Sequence, residues 1–194
     1  SVGRLVRDKG VFELLDALAA AGRAEPHLTS LLVGGKPGFD EEAAVEERRR
    51  NDAVLSRTVR LLPAVPPERV WDLLCAADLF AFASHREGMP NSLLEAMAMG
   101  VPSVAFAIPP VLEIEGGKGA PLLVPPLDAA AFGTALLRLA SSPEERRRVG
   151  DAGRATVLER FSVSKNMGVA LERLTSLAAS RHPATFSPAS QSVG

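Results

Sequence analysis

Asp78-Leu79-Phe80-Ala81-Phe82-Ala83-Ser84-His85-Arg86-Glu87-Gly88-Met89-Pro90-Asn91-Ser92-Leu93-Leu94-Glu95-Ala96-Met97-Ala98-Met99-Gly100 holds three elements in a fixed order. Its opening is an apolar run without polar alternation, which predicts a strand buried on both faces. The middle is a polar loop. From Ser92 to Met99 apolar residues fall at helical spacing, and Gly100 with Pro102 ends the helix. A buried strand that passes through a loop into a helix is the building unit of a parallel sheet.

The same unit recurs on both sides. Residues 11–18 have helical spacing after Gly10, and residues 29–33 read as a buried strand closed by Gly34-Gly35. Residues 41–55 are charged with little apolar stripe and predict one exposed helix. Residues 58–62 predict a strand, and residues 67–77 a helix with proline near its start. Strands at 103–107 and 122–124 follow, then helical stretches from Asp128, Glu144 and Ser162. The fold class is therefore α/β, a Rossmann-like doubly wound parallel sheet with a helical C-terminal segment. Such sheets bind ligands outside the carboxyl ends of their strands. The loops at 3–10, 34–39, 84–91 and 107–113 occupy those ends.

Composition narrows the class of partner. A net charge of -1 over 194 residues gives no electrostatic footprint for nucleic acid or an anionic membrane. No apolar run reaches the ~18 residues of a membrane span, so no transmembrane segment is expected. The single Cys75 cannot form an internal disulfide; it is expected to be a small core residue, in keeping with a reducing, cytoplasmic setting. One domain is expected over residues 1–178, with a disordered Ser/Pro/Ala-rich tail over 179–194. The opening residues, Ser1 to Val6, read as a strand end running into a loop, as if a larger protein had been cut there.

Two clusters could carry chemistry. In the first, the loop after the 78–83 strand opens a helix whose free N–H groups and dipole favour an anion. Gly88 would let backbone come close to a ligand, and Glu87 and Glu95 could accept hydrogen bonds from sugar hydroxyls. A second reading fits the same residues: Ser92 and Glu95 have the spacing of a capping box, Glu87 could be a solvated loop residue, and Asn91 a cap. The second cluster is Gly3-Arg4-Leu5-Val6-Arg7-Asp8-Lys9-Gly10, where Arg4 and Lys9 could together neutralise a diphosphate or could simply be solvated cations. His85 is expected to be a bystander. No Cys/His/Asp group has metal-ligand spacing, so no metal cofactor is expected.

Taken together, Gly3-Arg4-Leu5 with Lys9-Gly10, the 87–98 stretch with its Glu87-x7-Glu95 spacing, Gly100-Val101-Pro102-Ser103-Val104, Leu122 to Asp128 and Phe161-Ser162 resemble the retaining glycosyltransferases of family 4, the glycosyl transferases group 1 domain. The likeness runs from Gly3 to about Leu177. It implies one half of a GT-B architecture, the C-terminal donor-binding domain, with the N-terminal acceptor domain absent. By that likeness Arg4 and Lys9 would hold the diphosphate of a UDP- or GDP-sugar, Glu87 the donor sugar and Glu95 the ribose diol. Gly3, Gly88, Met89, Asn91, Ser92 and Leu93 would complete the donor site, with the base near Arg60 and Leu61. The missing domain of the same protein is the implied partner, and through it a peripheral position at the inner membrane face. Pro109 and Pro110 depart from the family pattern and remove backbone donors from that loop. A non-catalytic sugar-nucleotide-binding module and a GT-B type sugar-nucleotide epimerase would share these residues.

Overall fold

The computed structural model describes residues 1–35, 41–162, 166–168 and 171–175. The chain divides into two compact units, Ser1–Val157 and Leu158–Gly194. The first carries every strand among the described residues. β1 (Ser30–Gly35) pairs with β2 (Val59–Pro63), while β3 (Phe80–Phe82), β4 (Ser103–Phe106) and β5 (Leu122–Val124) pair in that order. All pairings are parallel. The opening residues end a short ladder on β1: Val2 bridges Val33, and Gly3 N–H donates to the Val33 carbonyl at 2.9 Å.

All four residues of β4 are buried, which requires cover on both faces and explains why it reads as an unbroken apolar run. α1 (Val11–Ala24) turns Val11, Leu14, Leu15 and Leu18 inward, the i, i+3, i+4, i+7 stripe seen in the sequence. α7 (Ala129–Ser141) packs beside it and sends Phe132 edge-on against Phe106 of β4, with ring centroids 5.1 Å apart. Both rings are fully buried, each worth about 1.5–3 kcal/mol of apolar transfer. α5 (Asn91–Ala98) packs on β3 and β4 through Leu93, Ala96 and Met97. α4 (Pro67–Cys75) and α6 (Pro109–Glu115) both begin with proline, where no helical N–H is needed, and the expected loop at 107–113 is thus mostly helix. α8 (Pro143–Arg160) follows. In the second unit the described residues 166–168 and 171–175 are helical, in line with the helix expected after Ser162.

Three expectations are corrected. Residues 41–55 form two helices, α2 (Glu42–Arg50) and α3 (Ala53–Thr58), because the Asp52 carboxylate caps Val54 and Leu55 N–H at 2.9 and 3.1 Å and starts a new helix. Nor are they wholly exposed, since Val45 and Leu55 are fully buried. Cys75 is exposed: the buried stripe of α4 is Val70 and Leu74, and the next residue along points about 100° away. The Ser92–Glu95 capping box does not form, because the N-cap of α5 is Pro90, two residues before Ser92, without a side-chain cap bond. The tail over 179–194, and the domain limit at 178, lie outside the described residues.

Candidate functional site

The two loops singled out in the sequence meet at the carboxyl ends of the strands. Residues Arg7–Lys9 form a single 3-10 turn, closed by Gly10 N–H on the Arg7 carbonyl at 2.7 Å. Gly10 sits in the left-handed region with φ +64°, and a Cβ there would lie 1.7 Å from the Ala83 carbonyl oxygen. Only glycine lets this turn rest on the end of β3. Beside it the Asp8 carbonyl accepts from His85 N–H at 3.0 Å and from Ser84 Oγ at 3.3 Å. These contacts lock the 3–10 loop onto the 84–91 loop.

The lock places Lys9 Nζ 2.7 Å from Glu87 Oε1, with the side chains only 27% and 14% exposed. Lys9 is therefore no solvated loop cation. Its ammonium has three donors, and one is spent on Glu87. Arg4 is exposed and has no ion-pair partner among the described residues. Arg7, by contrast, is committed to Glu41 at 2.8 Å and lies over the Phe12 ring at 4.5 Å.

A cleft of about 200 Å³ opens between the loops and is lined by Gly3, Arg4, Lys9, Glu87, Met89, Asn91 and Ser92. The remaining sequence-derived residues stand outside its lining. Gly88 is exposed with open space where a Cβ would be. Leu93 turns its side chain fully into the core. Glu95 is exposed on α5 with no side-chain partner among the described residues. Of the three amides at the helix start, Asn91 and Leu93 already donate to Met89 and Pro90 carbonyls at 2.9 and 3.1 Å. The Ser92 N–H has no backbone acceptor among the described residues. Arg60 and Leu61 lie within β2, paired with Leu31 and Leu32 of β1. Arg60 lines a second cavity, between β1 and β3.

Sequence reasoning missed the residues that hold the loops. His85 is more than a bystander: its Nε2 stands 3.2 Å from Glu13 Oε2 of α1, and its backbone N–H anchors the Asp8 carbonyl. The His85–Glu13 contact lacks aligned hydrogen-bond geometry, and both atoms are shielded from solvent. Its ring lies 6.1 Å from Phe106. The only signal in the sequence was position, a polar residue two steps past the buried run that ends at Ala83. Among the described residues no group of three or more His, Cys, Asp or Glu could hold a metal ion, and no helix is long and apolar enough to cross a membrane.

A parallel α/β domain with paired charges at the strand ends defines a class, the ligand-binding domains of doubly wound sheets. Within that class, residues 1–142 match the family model described as glycosyl transferases group 1, and the chain belongs to that family. It is 35% identical over 156 residues to a D-inositol 3-phosphate glycosyltransferase of Corynebacterium efficiens, a match covering 77% of this chain and 36% of that protein. It is 32% identical over 155 residues to the MMP alpha-(1->4)-mannosyltransferase of Mycolicibacterium hassiacum, covering 79% and 36%. The chain thus spans little more than a third of the length of these relatives. Among solved structures, the C-terminal domain of a glycosyl transferase group 1 family protein from Francisella tularensis superposes with TM-score 0.74 at 22% identity, covering 84% of this chain and 85% of that one. Anabaena HepE in complex with UDP and glucose superposes with TM-score 0.76 at 25% identity, covering 90% and 48%. These neighbours are GT-B glycosyltransferase domains, and the α/β fold is theirs.

Proposed function

We propose that the chain is the donor-binding domain of a retaining glycosyltransferase, and that the cleft between the 3–10 and 84–91 loops takes a UDP- or GDP-linked sugar without a metal. The observation that carries this reading is the Lys9–Glu87 contact, which sets a cation and a carboxylate side by side at the strand ends, with Arg4 and the start of α5 on the same cleft. Transfer breaks the bond between the anomeric carbon and the diphosphate, and the electron pair leaves with the diphosphate. Arg4 and Lys9 are the groups available to stabilise that developing charge. Glu87 accepts hydrogen bonds from hydroxyls of the donor sugar, and Glu95 from the ribose diol. The Ser92 N–H and the exposed backbone at Gly88 and Met89 complete the contacts. The UDP bound by HepE supports a uridine nucleotide as the first candidate. The acceptor, and any attachment to the inner membrane face from the cytoplasm, belong to an N-terminal domain of a longer protein.

Calorimetric titration with UDP, GDP and their sugar conjugates, in EDTA and in magnesium, tests the reading. One nucleotide should bind equally in both buffers, and Arg4→Ala and Lys9→Ala should each weaken it. In an assembled enzyme the loss at the transition state should be about 2–4 kcal/mol per charge. Unchanged affinity in both variants, with the fold intact, would refute it.

A further inference from the structure

The charged side chains that line the cleft are Arg4 and Lys9, both positive, and Glu87, negative. The opposite charges are already in contact, with Lys9 Nζ 2.7 Å from Glu87 Oε1. Glu87 has no other side-chain partner among the described residues. Nor can the two backbones draw apart easily, because His85 N–H and Ser84 Oγ hold the Asp8 carbonyl at 3.0 and 3.3 Å. Any anion that approaches Lys9 therefore meets the Glu87 carboxylate beside it.

A nucleotide sugar carries a diphosphate esterified at both ends. Once the sugar has left for the acceptor, the terminal phosphate is free and takes on about one further negative charge near neutral pH. Two cations alone would hold this product more tightly than the donor, and retained product blocks the next turnover. Glu87 opposes that order. When one ammonium contacts a carboxylate and a phosphate together, their oxygens lie roughly 4–5 Å apart. Both side chains are mostly buried, so solvent screens that repulsion poorly. Sugar hydroxyls can donate to Glu87 and relieve it of Lys9; a freed diphosphate has none to offer.

We propose that Glu87 determines specificity between the donor and the freed nucleoside diphosphate by competing with the diphosphate for Lys9. It turns to the sugar when the donor binds, and it pairs with Lys9 again once the sugar has gone, which loosens the diphosphate. The proposal rests on the donor-site reading above and adds this competition to it. It also assigns unequal parts to the two cations: Arg4, which has no ion-pair partner among the described residues, attracts either ligand, while Lys9 is fully available only to the donor.

Calorimetric titration of the 194-residue chain and of its Glu87→Gln and Glu87→Ala variants, each checked for folding by circular dichroism, tests it. The ligands are UDP and UDP-glucose, GDP and GDP-mannose, and uridine and guanosine as controls without phosphate. Both variants should bind the diphosphate about tenfold more tightly than the wild type and leave the nucleoside unchanged. The affinity ratio of sugar conjugate to diphosphate should fall by about tenfold or more. Loss of a merely structural contact would instead weaken all these ligands together. Diphosphate affinity that is unchanged or lower in the folded variants, or a gain shared by the nucleoside, would overturn the proposal and leave the donor-site reading standing. Binding of no nucleotide by the wild type or either variant would overturn that reading, and the proposal with it.

Discussion

Replacing Gly10 by alanine should break the candidate site and much of the stability together. The residue holds φ +64°, where a side chain costs roughly 1–2 kcal/mol. The added methyl would lie 1.7 Å from the Ala83 carbonyl oxygen, against ordinary contacts that begin at 3.4 Å, so the turn must lift from β3. Lifting it stretches the bonds from His85 N–H and Ser84 Oγ to the Asp8 carbonyl, now 3.0 and 3.3 Å, beyond useful length. Each is worth roughly 0.5–1.5 kcal/mol. The expected loss is about 2–5 kcal/mol, from strain and bonding together. Urea unfolding followed by circular dichroism should show a lower midpoint with an unchanged slope. Titration of the surviving folded protein with nucleoside diphosphate should show weaker binding, since Lys9 moves with the turn. A loss under about 1 kcal/mol, with binding intact, would refute the claim that the turn is seated on β3.

Gly88→Ala makes the opposite case. With open space around it, stability should change by no more than about 0.5 kcal/mol, and any loss of nucleotide affinity would then report backbone approach by the ligand. On α2, a hydrogen bond from Arg49 holds the Glu46 carboxyl down to about 2 from an ordinary value near 4.5. The ionised group favours the folded state above pH 4.5, and that advantage is lost as pH falls toward 2. Glu46→Gln should flatten that part of a Tm-against-pH curve, by at most about 1 kcal/mol for a solvent-screened pair, and an unchanged acid limb would contradict the pairing. Exposed Cys75 should react with a thiol reagent in the native protein at a rate close to that in denaturant; protection by folding would contradict its placement.

The strands were legible because burial on both faces writes them as unbroken apolar runs, as at Phe80–Phe82 and Ser103–Phe106. Helix ends were harder. Asn51-Asp52 carries a capping signal inside a charged stretch, and few apolar residues, Val45 and Leu55 among them, report that two helices are partly buried there. Spacing also misled: Ser92 and Glu95 match a capping box, but a start at Asn91 puts both inside the helix. Cys75 shows that an apolar neighbourhood in sequence is not a buried face, since one residue along a helix turns about 100°. The two clusters of the site were each visible, but the bond between them was not. No local pattern encodes a contact between Lys9 and Glu87, nor the anchoring of Asp8 by His85.

That bond has a kinetic consequence. Lys9 and Glu87 are 78 positions apart, and the loop between them closes only after β3 has joined the rest of the fold. Contacts of such long range form late, because chain entropy opposes them until the intervening elements have packed. A peptide copied from either loop alone would carry its residues but not their geometry. Recovery of nucleotide binding during refolding should therefore lag behind the return of helical signal, and the cleft can serve as a clock for the last step of assembly.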